Sequence, residues 1–146
     1  MADQPARRPW HLWAVGVFVL LFAGAGAYDQ VMSLSQRSHY FDQQGYGAAE
    51  RDYFSDYPSA PALLWIIAVW GTVAAAALLL AQSRWAAITA SVSLLSQACL
   101  LVITFTVMDR WAVFGAALSI VDLAILLLTA GFAAYCWSMW SRGLLR

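Results

Sequence analysis

Four long apolar runs separated by polar breaks dominate the chain. They cover residues 10–32, 62–81, 85–107 and 111–140. Each approaches or exceeds the roughly 20 residues that an α-helix needs to cross a bilayer. Their apolar positions do not fall on one stripe, as they would in a water-soluble bundle, but cover every face. The pattern therefore predicts an all-α integral membrane protein, an up-down bundle of four transmembrane helices.

The breaks differ in kind. Ser83 and Arg84 part the second run from the third, and Asp109 and Arg110 part the third from the fourth. Links this short make their neighbours antiparallel. The link over 33–61 is long, polar and rich in tyrosine, with Gly45, Gly47, Pro58 and Pro61 as breakers. Within it, residues 48–54 read as a short helix lying on the membrane surface. The whole chain reads as a single membrane domain, 1–146.

Charge orients the bundle. Arg7, Arg8, Arg84, Arg142 and Arg146 fall on one side of a four-helix topology, and Arg37, Arg51 and Arg110 on the other. The arginine-rich side is cytoplasmic by the positive-inside rule, so both termini are expected inside and the long loop outside. Trp10, Trp13, Trp85, Trp137 and Trp140 mark the inner interface, and Trp111 the outer. A rival reading takes Arg7, Arg8 and the first run as a secretory signal cleaved at Ala25-Gly26-Ala27. That run is long for a signal, which favours a retained helix.

Composition narrows the function. Hydrophobic residues make up 62% of the chain and charged residues 11%, against about a quarter charged in soluble domains. Eight acids balance eight arginines, so no basic stripe offers itself to nucleic acid. Cys99 and Cys136 lie in apolar runs without metal or redox spacing. His11 and His39 lie outside mid-membrane, which argues against a haem ligand. No cofactor and no metal are expected.

Asp122 is the anomaly. It stands deep in the fourth run among Leu, Ile and Val, where a charge costs at least about 3 kcal/mol. It must find a partner, face protein, or stay neutral, and burial favours the neutral acid. Counting outward from the turn at Asp109-Arg110 places Gln97 at the same depth, which predicts a Gln97–Asp122 hydrogen bond. Steps of four and three extend this into seams. On the fourth helix the seam takes Gly115, Ser119, Asp122, Leu126, Thr129, Ala133 and Cys136. On the third it takes Thr89, Ser93, Ser96, Leu100 and Ile103. On the second it takes Ala68, Gly71, Ala75 and Leu78, and on the first Gly16, Leu20, Ala23 and Ala27. Small and hydroxyl residues at this spacing let membrane helices approach and hydrogen-bond. Asp122, Gln97, Ser93, Ser96, Ser119 and Thr129 thus form an intramembrane polar line, read either as structural glue or as a proton-coupled or solute-binding cavity.

The outer loop offers a second group. Asp29 ends the first run at the outer interface, solvated or paired with arginine. Tyr53 and Tyr57, with Tyr40, Tyr46, Phe41 and Phe54, place rings beside carboxylates, suited to sugars or to interfacial anchoring. His39 with Asp42 and Glu50 matches no metal-ligand spacing. No nucleophile elbow, zinc-protease motif or phosphate-binding glycine loop occurs, which points away from an enzyme.

The segments Gly26-Ala27-Tyr28-Asp29-Gln30-Val31-Met32, Tyr53-Phe54, Tyr57-Pro58, Trp65, Ala68-Val69-Trp70-Gly71 and Ser83-Arg84-Trp85-Ala86 carry a resemblance. Over roughly the first 90 residues the chain resembles a family of small four-helix bacterial inner-membrane proteins, frequent in alphaproteobacteria, many of which bear the designation "sugar transporter". The resemblance implies a multi-pass protein of the bacterial inner membrane. Two functions are expected. One is a non-enzymatic protein acting through helix packing, as an accessory subunit of a membrane complex or a homo-oligomer. The other is an oligomeric transporter of a small solute, proton-coupled through Asp122. The partners expected are the lipid bilayer and other membrane chains or further copies of this one.

Overall fold

The computed structural model describes residues 9–146, so the orienting Arg7 and Arg8 lie outside the described residues. Six helices follow one another: α1 (Trp10–Leu34), α2 (Ser38–Gln44), α3 (Ala48–Ser55), α4 (Ser59–Leu80), α5 (Trp85–Thr106) and α6 (Arg110–Ser141). Four of them, α1, α4, α5 and α6, are long and apolar enough to cross a membrane. The protein is an all-α membrane bundle, as its sequence predicts.

The bounds shift for local reasons. α4 starts three residues earlier than expected because Pro61 sits in its first turn, where a missing N–H costs nothing. α1 runs on to Leu34, so Asp29 lies inside the helix and does not end it. The long loop contains the expected surface helix as α3 and an additional one, α2, which ends on Gly45 in the left-handed conformation (φ 71°).

Packing follows chain order. α4 lies against both α1 and α5, and α5 against α6, whereas α1 and α6 share no extended face. The small-residue seams do what their spacing predicts. A Cβ added at Gly16 would come within 2.5 Å of Leu80 Cδ2, and one at Gly71 within 3.2 Å of Ser93 Cβ. At both positions an added Cβ would force a neighbour on the facing helix to shift.

One end of the bundle is tied shut. His11 on α1 meets the Tyr135 hydroxyl on α6 at 2.6 Å. The Arg84 N–H donates to the Arg146 carbonyl, and the Arg146 N–H to the Gln82 carbonyl, each at 2.8 Å. Leu12, Leu79, Ala86, Cys136, Met139 and Leu145 fill the space between. The opposite end carries α2 and α3, whose Tyr40, Phe41 and Phe54 pack with Phe114, Tyr46, Tyr53, Tyr57 and Trp65 in one aromatic cluster. Along their lengths α1 and α6 make little contact.

Candidate functional site

α6 is not one straight helix. Gly115 interrupts it with φ 73° and ψ −179°, a combination open essentially to glycine alone. An added Cβ there would meet nothing within 4 Å, so the backbone angle and not crowding requires the glycine. Gly115 is therefore a break in the helix and not the close-packing position its seam implied. The Ser119 hydroxyl donates to the Gly115 carbonyl at 2.8 Å and satisfies an acceptor at the break. The break folds Arg110–Phe114 back over the helix that follows. Phe114 enters the aromatic cluster beneath α3, with its ring centroid 5.1 Å from that of Tyr53.

The fold-back solves the problem of Asp122. Arg110 donates from Nε to one Asp122 oxygen and from Nη2 to the other, the latter at 3.2 Å. The guanidinium lies 4.6 Å from the Phe114 ring centroid, a cation–π contact. Both side chains of the ion pair are about one-fifth exposed. The expectation of a Gln97 partner is thereby corrected: Asp122 is paired with Arg110. Asp122 stands seven residues, about two helical turns, beyond the break.

A cavity of about 330 Å³ opens beside this pair. All four spanning helices line it: Phe22, Ala23, Gly26 and Asp29 from α1, Trp65, Ala68, Val69 and Thr72 from α4, Gln97, Leu100, Leu101 and Thr104 from α5, and Arg110, Asp122, Ile125 and Thr129 from α6. Tyr57 contributes from the α3–α4 link. The volume lies at the lower end of the range of small-molecule sites, and the mix of apolar wall and few polar groups is the usual one.

The predicted polar line divides. Asp122, Gln97 and Thr129 reach the cavity. Ser93 is buried behind it and ties α5 to α4, meeting the Thr72 hydroxyl at 2.6 Å and donating to the Ala68 carbonyl. Ser119 serves the break, and Ser96 is buried in the α5 seam. The outer group also divides. Asp29 and Tyr57 line the cavity, Tyr53 packs in the aromatic cluster, and exposed His39 meets only Gln43, at 3.1 Å. No group of three metal-ligating side chains occurs among the described residues.

Asp29 accepts a hydrogen bond from the Tyr40 hydroxyl of α2. This corrects the alternative of an arginine-paired acid; Asp29 itself is half-buried. Burial, and then the Asp29 carboxylate, push Tyr40 well above the ordinary tyrosine range, so the phenol remains a donor. Burial raises Tyr57 as well. Arg110 is the residue the sequence reading missed, because next to Asp109 it looked like half of a polar turn. No protein-family model, curated protein or solved structure matches the chain.

Proposed function

We propose that the protein is a non-enzymatic, multi-pass protein of a bacterial inner membrane that binds a small solute in the outer half of its bundle as the first step of transport. One observation carries this reading: a cavity lined by all four spanning helices holds Asp29, Gln97 and the Arg110–Asp122 pair in a largely apolar lining. An ion pair inside a membrane is costly to maintain. Ionisable groups at that depth, facing a cavity and not packed shut, mark solute pathways more often than glue. The His11–Tyr135 contact, and the otherwise sparse packing of α1 against α6, support a cavity closed at one end and reached between these two helices.

A packing role in a larger complex is the second reading. It draws on small residues left on outward faces, Ala74 and Ala77 of α4 and Gly131 of α6, which permit close approach of another helix.

The test fills the cavity. Gly26 lines it, and an added Cβ meets nothing within 4 Å, so Gly26→Leu is the substitution that adds bulk to the lining with room at the point of attachment. A panel of small cations, anions and neutral solutes is screened for a rise in melting temperature in lipid nanodiscs. Ligands that bind the folded state stabilise it by mass action. At least one class should stabilise the unaltered chain and not Gly26→Leu. Equal responses from the two chains would refute the solute-binding reading, and co-purification of a stoichiometric partner chain would then favour the packing role.

A further inference from the structure

We infer that the solute of this cavity is an organic monocation, an ammonium group attached to an apolar body. The inference rests on the solute-binding reading and adds its charge class.

Three charged side chains line the cavity: Asp29, Arg110 and Asp122. Arg110 spends Nε and Nη2 on the two oxygens of Asp122, and the pair is neutral as a unit. Asp29 has no cationic partner among the described residues, whose ion pairs are Arg51–Asp42 and Arg110–Asp122. Its hydrogen bond comes from a neutral phenol and engages one of its two oxygens. The cavity therefore carries one uncompensated negative charge.

The uncharged groups lean the same way. The Thr104 and Thr129 hydroxyls, both of cavity-lining residues, donate to backbone carbonyls one turn back, at 2.9 Å each. With their protons used, these hydroxyls keep only acceptor lone pairs for a solute. Phe22, Tyr57 and Trp65 supply aromatic rings in the same wall, and the Tyr57 and Trp65 centroids are 6.0 Å apart. Aromatic faces beside a carboxylate are the chemistry that recognises ammonium groups. An anion would find the free edge of Arg110, but only at the cost of approaching Asp29 and Asp122.

Isothermal titration calorimetry on the full chain in phosphatidylglycerol nanodiscs tests this. The probes are benzyltrimethylammonium, benzenesulfonate, benzyl alcohol and glucose. Benzyltrimethylammonium should bind, with the other three at least about tenfold weaker, the ratio expected for one charge-assisted contact. Asp29→Asn, which keeps an acceptor for Tyr40, should weaken the cation by about tenfold or more. Asp52→Asn removes the same formal charge from the exposed face of α3 and should leave the affinity unchanged.

Benzenesulfonate or glucose binding as tightly as the cation would overturn the charge class while leaving the cavity reading intact. If no probe binds and Gly26→Leu changes nothing, both are lost. Should Asp29→Asn fail to fold, the order of the four probes on the unaltered chain still decides. Discs containing phosphatidylethanolamine separate two sources of the same chemistry. A drop in apparent affinity identifies a lipid ammonium as the occupant, and no drop identifies a free solute.

Discussion

Arg110 and Asp122 are twelve positions apart on what is nominally one helix, and they form an ion pair. In an unbroken helix twelve residues rise about 18 Å, beyond the combined reach of the two side chains. The contact exists because Gly115 turns the chain back between them. Gly115→Ala places an L residue at a backbone angle it resists, at a cost of about 1–3 kcal/mol, and should separate the pair. Gly131→Ala, at an open helical position in the same helix, should be neutral or stabilising. Thermal melts of both variants in detergent compare them. A Gly115→Ala melt that matches the unaltered chain would rule out a strained break.

The aromatic end of the bundle should resist alkali. Tyr40 and Tyr57 are raised above the ordinary value of 10.0 by burial. A group with a raised folded pKa contributes stability that is full below its unfolded pKa and is lost as pH rises through the folded value. Ultraviolet titration should therefore show part of the tyrosine absorbance change displaced to well above pH 10, and stability should fall only in that alkaline range. Tyr40→Phe should remove part of the displaced step. A single step at the ordinary tyrosine value would mean that α2 does not bury its ring against the bundle.

Orientation is open to direct measurement. A reporter fused after Arg146 should read cytoplasmic, and one inserted near Gly45 should read periplasmic, following the sequence asymmetry of Arg7, Arg8, Arg84, Arg142 and Arg146 against Arg37, Arg51 and Arg110. A periplasmic C-terminus would contradict this orientation and put the cavity on the other face. Intact mass should begin at Met1 or Ala2. A chain beginning at Tyr28 would have lost the α1 wall of the cavity except Asp29.

The membrane helices were legible because their signal is simple: length and apolarity on all faces. The seams were legible for a related reason. Gly16 against Leu80 and Gly71 against Ser93 need only small residues at regular spacing. The site was half legible. Asp122 announced itself by its cost, and Gln97 does line the same cavity, but counting from the turn assumed a continuous helix. A glycine inside an apolar run gives the same sequence signal whether it permits packing or adopts φ 73°. With the break unseen, Arg110 stayed a loop residue and the partner of Asp122 was misassigned. α2 was missed because Ser38–Gln44 is short and polar, without the period of an apolar stripe.

The Arg110–Asp122 pair separates structure from function most sharply. Removing one member of a poorly solvated ion pair strands the other, at a cost of about 3–5 kcal/mol when burial is complete. At one-fifth exposure the lower end of that range applies. Asp122→Leu and Arg110→Met should each destabilise the bundle by about 3 kcal/mol. The double variant should cost less than either, because no charge is left without its counter-ion. Asp122→Asn should fall between, since the amide still accepts from Arg110 but leaves its charge uncompensated. Thermal or chemical unfolding of the four variants completes the cycle. Cation binding then supplies the second readout. If Asp29 is the counter-ion of the solute, the double variant keeps the net charge of the cavity and should retain most of its affinity for benzyltrimethylammonium. A proton-coupled role for Asp122 predicts a split between binding and movement: the double variant would fold and bind, but fail to move solute with a proton gradient in liposomes. Retained proton-driven uptake in that variant would exclude Asp122 as the coupling site and leave the pair as the internal brace that holds the break at Gly115 closed.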